Sequence, residues 1–373
     1  RLELAGVQPG LWDLVVENDT LREGRLGGGF CVDSADSGTW YFAEGSTGHG
    51  FEEFILLQNP GDSPARVKVE WMAEGSGVPE TAVNVPPGSR LTIGVNDVVP
   101  DRDLAAVVTS DRDIVCERAM YWSGRAEGTD SIGVRSPSRS WFFAEGSTAY
   151  GFETYVLIQN PDDRPATVQL TYMTPGGPVP KETFNIPGRS RYTVRVADDL
   201  PSSDASVMVV ASRRVVCERS MYWDGRRGGH VSTGTELPSV KWHLAEGSTG
   251  WGFDEYVLIE NPGNTGASVT LTYMTPHGAE PQAPFPVPAN TRATVHVNAA
   301  LGGEDVSVEV ASDVGVVAER SMYWDRGTGK AGHNQIGVPQ ARTQCFLAEG
   351  STNWGFDEWV LVQNPNPRPA DIG

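Results

Sequence analysis

The chain has 373 residues, with 39% hydrophobic content, 43 Gly, 26 Pro and a formal net charge of −19. That acidity argues against a nucleic-acid partner, whose phosphates need a cationic surface to release counterions, and disfavours electrostatic docking to anionic lipid. No run of about 18 apolar residues is present to insert in a membrane, and the Gly- and Pro-rich composition fits short strands punctuated by turns.

In chain order, residues 1–36 come first. Pro9-Gly-Leu-Trp-Asp-Leu-Val-Val-Glu-Asn-Asp and Leu26-Gly-Gly-Gly-Phe-Cys-Val read as the last two strands of a sandwich. A repeat then begins. Its copies open with Trp40-Tyr-Phe-Ala-Glu-Gly-Ser-Thr, Trp141-Phe-Phe-Ala-Glu-Gly-Ser-Thr, Trp242-His-Leu-Ala-Glu-Gly-Ser-Thr and Cys345-Phe-Leu-Ala-Glu-Gly-Ser-Thr. Subtracting the start positions gives periods of 101, 101 and 103 residues. Complete copies end on Glu117-Arg-Ala-Met-Tyr-Trp, Glu218-Arg-Ser-Met-Tyr-Trp and Glu319-Arg-Ser-Met-Tyr-Trp. A period of this size matches a whole domain, not a solenoid repeat of about 20–50 residues. The expected division is 37–138, 139–239 and 240–342 for three full copies and 343–373 for an incomplete fourth.

Within copy one, strands are predicted at 40–44, 52–58, 65–72, 81–85, 90–95, 104–109 and 114–122. Asn59-Pro-Gly-Asp, Pro86-Pro-Gly-Ser and Ser110-Asp-Arg-Asp supply turn chemistry between them. Ala65-Arg-Val-Lys-Val-Glu-Trp alternates as a strand with one wet face does. Seven short strands in about 100 residues predict an all-β fold of tandem immunoglobulin-like β-sandwich modules.

Period two places Arg118 among Cys116, Met120 and Trp122, and Glu44 beside Trp40 and Phe42. Each apolar face then carries one charge, of opposite sign. The expectation is a structural ion pair within each copy, Glu44 with Arg118, Glu145 with Arg219 and Glu246 with Arg320, since guanidinium offers a fork that carboxylate satisfies. A catalytic role for this Glu would need a second acid and a cleft, which the repeat does not supply, so no enzyme activity is expected. Cys116 and Cys217 stand where copy three has Ala318, and Cys345 stands where the others have Trp, which reads as packing by free thiols.

The loop after Ala-Glu-Gly-Ser-Thr carries His49, Tyr150, Trp251 and Trp354, each just before a Gly. These rings are candidates for packing between modules or for stacking on sugar. His230 and His333 lie in the joints, but copy one has Thr129 there, so no metal is expected. Asp97, Asp101, Asp103, Asp198 and Asp199 lack the fixed spacing of a calcium loop. No cofactor is implied.

Two resemblances follow from these motifs. The opening segment is similar to the closing hairpin of an IPT/TIG immunoglobulin-like domain, with Trp12 in place of the usual Tyr. The repeat resembles tandem repeats of secreted and cell-surface bacterial proteins. Both imply a cell-exterior location. Similar joint lengths suggest a regular rod, and the predicted role is a structural stalk, sheath or filament subunit. Its expected partners are itself or other cell-surface proteins, with an adhesin binding polysaccharide through loop aromatics as the alternative. The stub of copy four is expected to belong to a longer chain or to be completed by a neighbouring one.

Overall fold

In the computed structural model, residues 38–73, 79–325, 330–353 and 356–372 are described in full, and 10–17 and 23–32 by their backbone. The protein is all-β. Strands β1 (Gly10–Glu17) and β2 (Glu23–Val32) form an antiparallel hairpin.

Copy one supplies β3 (Gly38–Phe42), β4 (Glu52–Asn59), β5 (Ala65–Ala73), β6 (Thr81–Val85), β7 (Ser89–Gly94), β8 (Leu104–Ser110), β9 (Val115–Trp122) and β10 (Glu127–Ile132). They make two four-stranded sheets, ordered β3-β8-β5-β6 and β10-β9-β4-β7. The inward residues of both sheets meet in one core: Trp40 and Phe42, Ile55 and Leu57, Val67 and Val69, Ala106 and Val108, and Cys116. The strict alternation of Ala65–Ala73 is what allows this, since Ala65, Val67 and Val69 turn inward while Arg66 stays in water. β4 and its counterparts in copies two and three are each closed by Asn-Pro. The Asn59 side chain donates to the carbonyls of Ser63, Val85 and Pro86, which ties the β4–β5 turn to the end of β6, and Asn160 and Asn261 repeat this.

Two features depart from the expected seven strands. The joint itself is a strand, β10, paired with β9. In copies two and three the counterparts of β8 and β9 fuse into one long strand, Ser206–Trp223 and Ser307–Asp325, that serves both sheets. Asp111-Arg-Asp breaks the strand in copy one; Ser212-Arg-Arg and Ser312-Asp-Val let it run on.

The expected rod of modules placed one after another is not what forms. Residues 345–353 and 356–372 touch both copy three and copy one: Gln363 donates to Met274 Sδ at 3.3 Å, and Ala348 is buried in the core of copy one. An extended string would hold copies four and one far apart.

Candidate functional site at the module junctions

The two signature motifs of the repeat meet at the boundary between one copy and the next. β3 delivers the first motif. Its Ala43 is buried in the core of copy two, as Ala144 is in the core of copy three. The backbone N–H of Glu44 donates to Glu218 Oε2 at 2.6 Å, and that of Ala144 to Glu319 Oε1 at 2.8 Å. Gly45 is required here, because a Cβ would stand 2.8 Å from Glu53 Oε1 and 2.9 Å from the carbonyl of Leu104. Thr47 accepts from the Arg102 N–H at 3.1 Å and donates to the Val99 carbonyl, fixing the loop that follows.

The second motif comes from β9 and its counterparts. Arg118 donates to Glu218 Oε2 at 2.8 Å, to Ser131 Oγ at 2.7 Å and to the backbone carbonyl of Glu44 at 2.8 Å. Ser131 in turn donates to Glu218 Oε1 at 3.1 Å. The second junction repeats this with Arg219, which donates to Glu319 Oε2 at 2.9 Å and to Asn334 Oδ1 at 2.7 Å. Both ion pairs have no solvent exposure.

The expected pairing within copies therefore needs correction. Arg118 meets the main chain of Glu44, and the carboxylate it pairs with belongs to copy two; Arg219 likewise pairs with Glu319 of copy three, not with Glu145. Glu44 itself lies 3.7 Å from Arg191 of copy two, and Glu145 accepts from Ser321 of copy three at 2.8 Å. Arg320 alone of the three pairs inside its own copy, donating to Glu246 Oε2 at 2.7 Å.

Charge balance explains the electrostatics. Around Arg118 lie three carboxyl groups, Glu218, Glu53 and Glu44. Burial works against the charge of Arg118, and these carboxylates outweigh it and hold the guanidinium above its usual range. One cation does not serve three acids. Burial pushes Glu53 up to about 8 and Glu44 up to about 7, with Arg118 and Arg191 only partly offsetting it. Glu246, partly buried beside His333 and Arg320, goes the other way, to about 2; burial would raise it, and the hydrogen bond from His333 with the charge of Arg320 overcomes that.

Aromatic rings seal each junction. Phe51 and Trp122 of copy one pack on Tyr222 of copy two, with centroids 6.1 and 5.8 Å away. Phe152 and Trp223 pack on Tyr323 in the same way, at 5.8 and 5.4 Å. The indole N–H groups cross the boundary too, Trp122 to the Arg226 carbonyl and Trp223 to that of Lys330, each at 2.8 Å.

The loop aromatics take the opposite course. His49 is exposed, Tyr150 is 86% exposed and Trp251 is 88% exposed, so none of them packs between modules. All three hold a left-handed backbone, with φ of 54°, 55° and 56°, a conformation seldom adopted outside Gly, Asn and Asp. Trp354 lies outside the described residues. Cys116 and Cys217 are buried free thiols, whereas Cys345 is exposed. Asp103 faces Arg191 at 3.9 Å, and Asp199 accepts from Tyr172 and Lys181, each at 2.7 Å. Among the described residues no cluster of three or more His, Cys, Asp or Glu is placed to hold a metal ion. No helix among them is long and apolar enough to cross a membrane.

Comparison with known proteins gives a fold-sized match and no activity. Residues 114–218, which run across the first junction, match a family of unknown function, DUF5719. No curated protein matches this chain. Among solved structures, it is similar to Thermotoga maritima 1070, at 18% identity over 28% of this chain and 96% of that one, with a TM-score of 0.24. It is also similar to the Anabaena sensory rhodopsin transducer, at 26% identity over 22% and 95% of the two chains and a TM-score of 0.20. A third likeness, to Streptomyces avermitilis alpha-L-rhamnosidase, has 10% identity, covers 77% of this chain and 44% of that one, and has a TM-score of 0.14. Likenesses at such TM-scores carry no functional argument.

Proposed function

We propose that this protein is a structural, non-catalytic component of the cell exterior, a stalk, sheath or filament subunit whose repeated copies serve to lock onto one another. One observation carries the reading: the residues repeated from copy to copy are spent at the boundaries between copies. Glu218 and Glu319 accept main-chain N–H groups from the preceding copy, Arg118 and Arg219 reach into the following one, and the Tyr-Trp pairs close the seam. A repeat selected for chemistry on a substrate would aim its shared charges into a cleft. Here they are buried against protein. The acidic surface suits an extracellular subunit that associates through many weak contacts as salt screens its charge.

Sedimentation velocity of the full chain across concentration, salt and calcium series tests this. Self-association that strengthens with ionic strength is expected; a strict monomer under all conditions would contradict it.

A second reading is favoured by the exposure of Tyr150 and Trp251. Rings held out in water at the same turn of copies two and three suit stacking on sugar, and the reading is an adhesin or carbohydrate-binding array. Glycan binding that is lost in the pair Tyr150→Ala and Trp251→Ala, by a monomeric protein, would move the assignment there.

A further inference from the structure

Several contacts of the fourth copy with the first repeat those of the first with the second. Glu117 accepts the backbone N–H groups of Ala348 at 3.1 Å and Glu349 at 2.7 Å, the place that Glu218 holds for Glu44 and Glu319 for Ala144. Ala348 enters the core of copy one as Ala43 enters that of copy two and Ala144 that of copy three. Arg90 lies 3.7 Å from Glu349 and donates to the Gly350 carbonyl at 2.9 Å, matching Arg191 at 3.7 Å from Glu44. Phe356 packs on Tyr121 with centroids 6.0 Å apart, as Phe51 does on Tyr222 and Phe152 on Tyr323. On its other side copy four follows copy three in the ordinary way. Gln363 donates to Met274 Sδ at 3.3 Å, as Gln159 does to Met72 Sδ at 3.5 Å.

A head-to-tail junction that recurs without end gives a filament, and one that returns to its start gives a ring. Here the successor of copy four is copy one. We infer that the repeat encodes a closed ring of four copies related by about a quarter turn each, the cyclic closure of a heterologous interface, and that the partner fitted by the Arg90, Glu117 and Tyr121 face of copy one is the opening strand segment of a fourth copy. A rotation axis also carries equivalent loops onto one rim, so His49, Tyr150 and Trp251 would face the same side, a geometry that multiplies weak contacts with an extended ligand. The inference concerns geometry and stands whether the protein is a structural subunit or a glycan binder.

Site-specific crosslinking of the full chain tests it. With Cys31 and Cys345 replaced by Ser, Tyr121→Cys and Phe356→Cys are introduced together and treated with a short bismaleimide. The ring predicts an intramolecular crosslink in the monomer, identified by mass of the joined peptides and independent of protein dilution. The control pair Tyr222→Cys and Phe356→Cys should give none, because the ring keeps copies four and two apart. Small-angle scattering of the unmodified chain keeps the test open should the variants misfold: a radius of gyration near the compact-chain value of about 21 Å is expected from the usual scaling. Absence of the 121–356 crosslink in a folded variant, a crosslink only between molecules, or a radius well above that value would overturn the ring.

Discussion

The same arginine does two different jobs in this chain. In copies one and two, Arg118 and Arg219 pair with a glutamate of the following copy, and both partners are fully buried. In copy three, Arg320 turns back to Glu246 of its own copy, which is 30% exposed, with His333 beside it. The motif around the arginine is the same in all three. What differs is the partner: a glutamate of the following copy for Arg118 and Arg219, one of its own copy for Arg320. In copies one and two the ion pair is therefore a property of the junction and not of the module, whereas copy three holds a wetter pair within itself.

The largest expected effect comes from breaking the buried pairs. Arg118→Met or Arg219→Met strands a glutamate in the interior and should cost about 3–5 kcal/mol. Arg320→Met should cost less, about 1 kcal/mol, since Glu246 can rehydrate. Urea midpoints of the three variants check this, and equal losses would erase the distinction between junction and module.

Glu260 sharpens the comparison in the opposite direction. It occupies the position of Gln159 and Gln363 at the boundary of copies two and three, and burial pushes its carboxyl well above the usual range. Glu260→Gln should raise stability by about 1–3 kcal/mol, the cost of a poorly satisfied buried group. The gain should appear as a higher midpoint at neutral pH and shrink toward pH 4.

The pH dependence has a defined sign. Glu53 and Glu255 are each raised to about 8, chiefly by burial, so the native state binds their protons more tightly than the unfolded state does. Their contribution is present below about 4.5 and lost as pH rises toward 8. Glu53→Gln should flatten the slope of stability against pH in that window; an unchanged slope would place the carboxyl in water.

Smaller again, Trp122→Phe or Trp223→Phe removes an indole donor to the next copy's main chain and should cost about 1 kcal/mol. At the bottom of the scale, Tyr150→Ala and Trp251→Ala should change stability by less than about 0.5 kcal/mol, because both rings stand in water.

The strands of copy one were legible because alternation and Asn-Pro or Pro-Gly turns mark them. β10 was not. Its buried positions are Thr129 and Ser131, polar residues that look inward because Ser131 partners Arg118 and Glu218 and Thr129 accepts from the Val231 N–H, so hydropathy shows no alternation. The ion-pair residues were legible as opposite charges on apolar faces, yet their pairing was not. Successive copies carry the same charges at the same positions, and no sequence pattern distinguishes Glu44 from Glu218 as the partner of Arg118. The exposure of Tyr150 and Trp251 was equally hidden, since an aromatic before Gly fits a packed spacer and a loop tip alike.

The most direct test is a pair of double-mutant cycles on the full chain, Arg118→Met with Glu218→Gln and Arg118→Met with Glu44→Gln, followed by chemical unfolding. Locking between copies predicts a coupling of about 2–3 kcal/mol for Arg118 with Glu218, near the top of the range for residues in contact, and a much smaller one with the Glu44 side chain. The reverse order, with the larger coupling to Glu44, would return the pair to a single module and contradict the junction as the working part of the repeat.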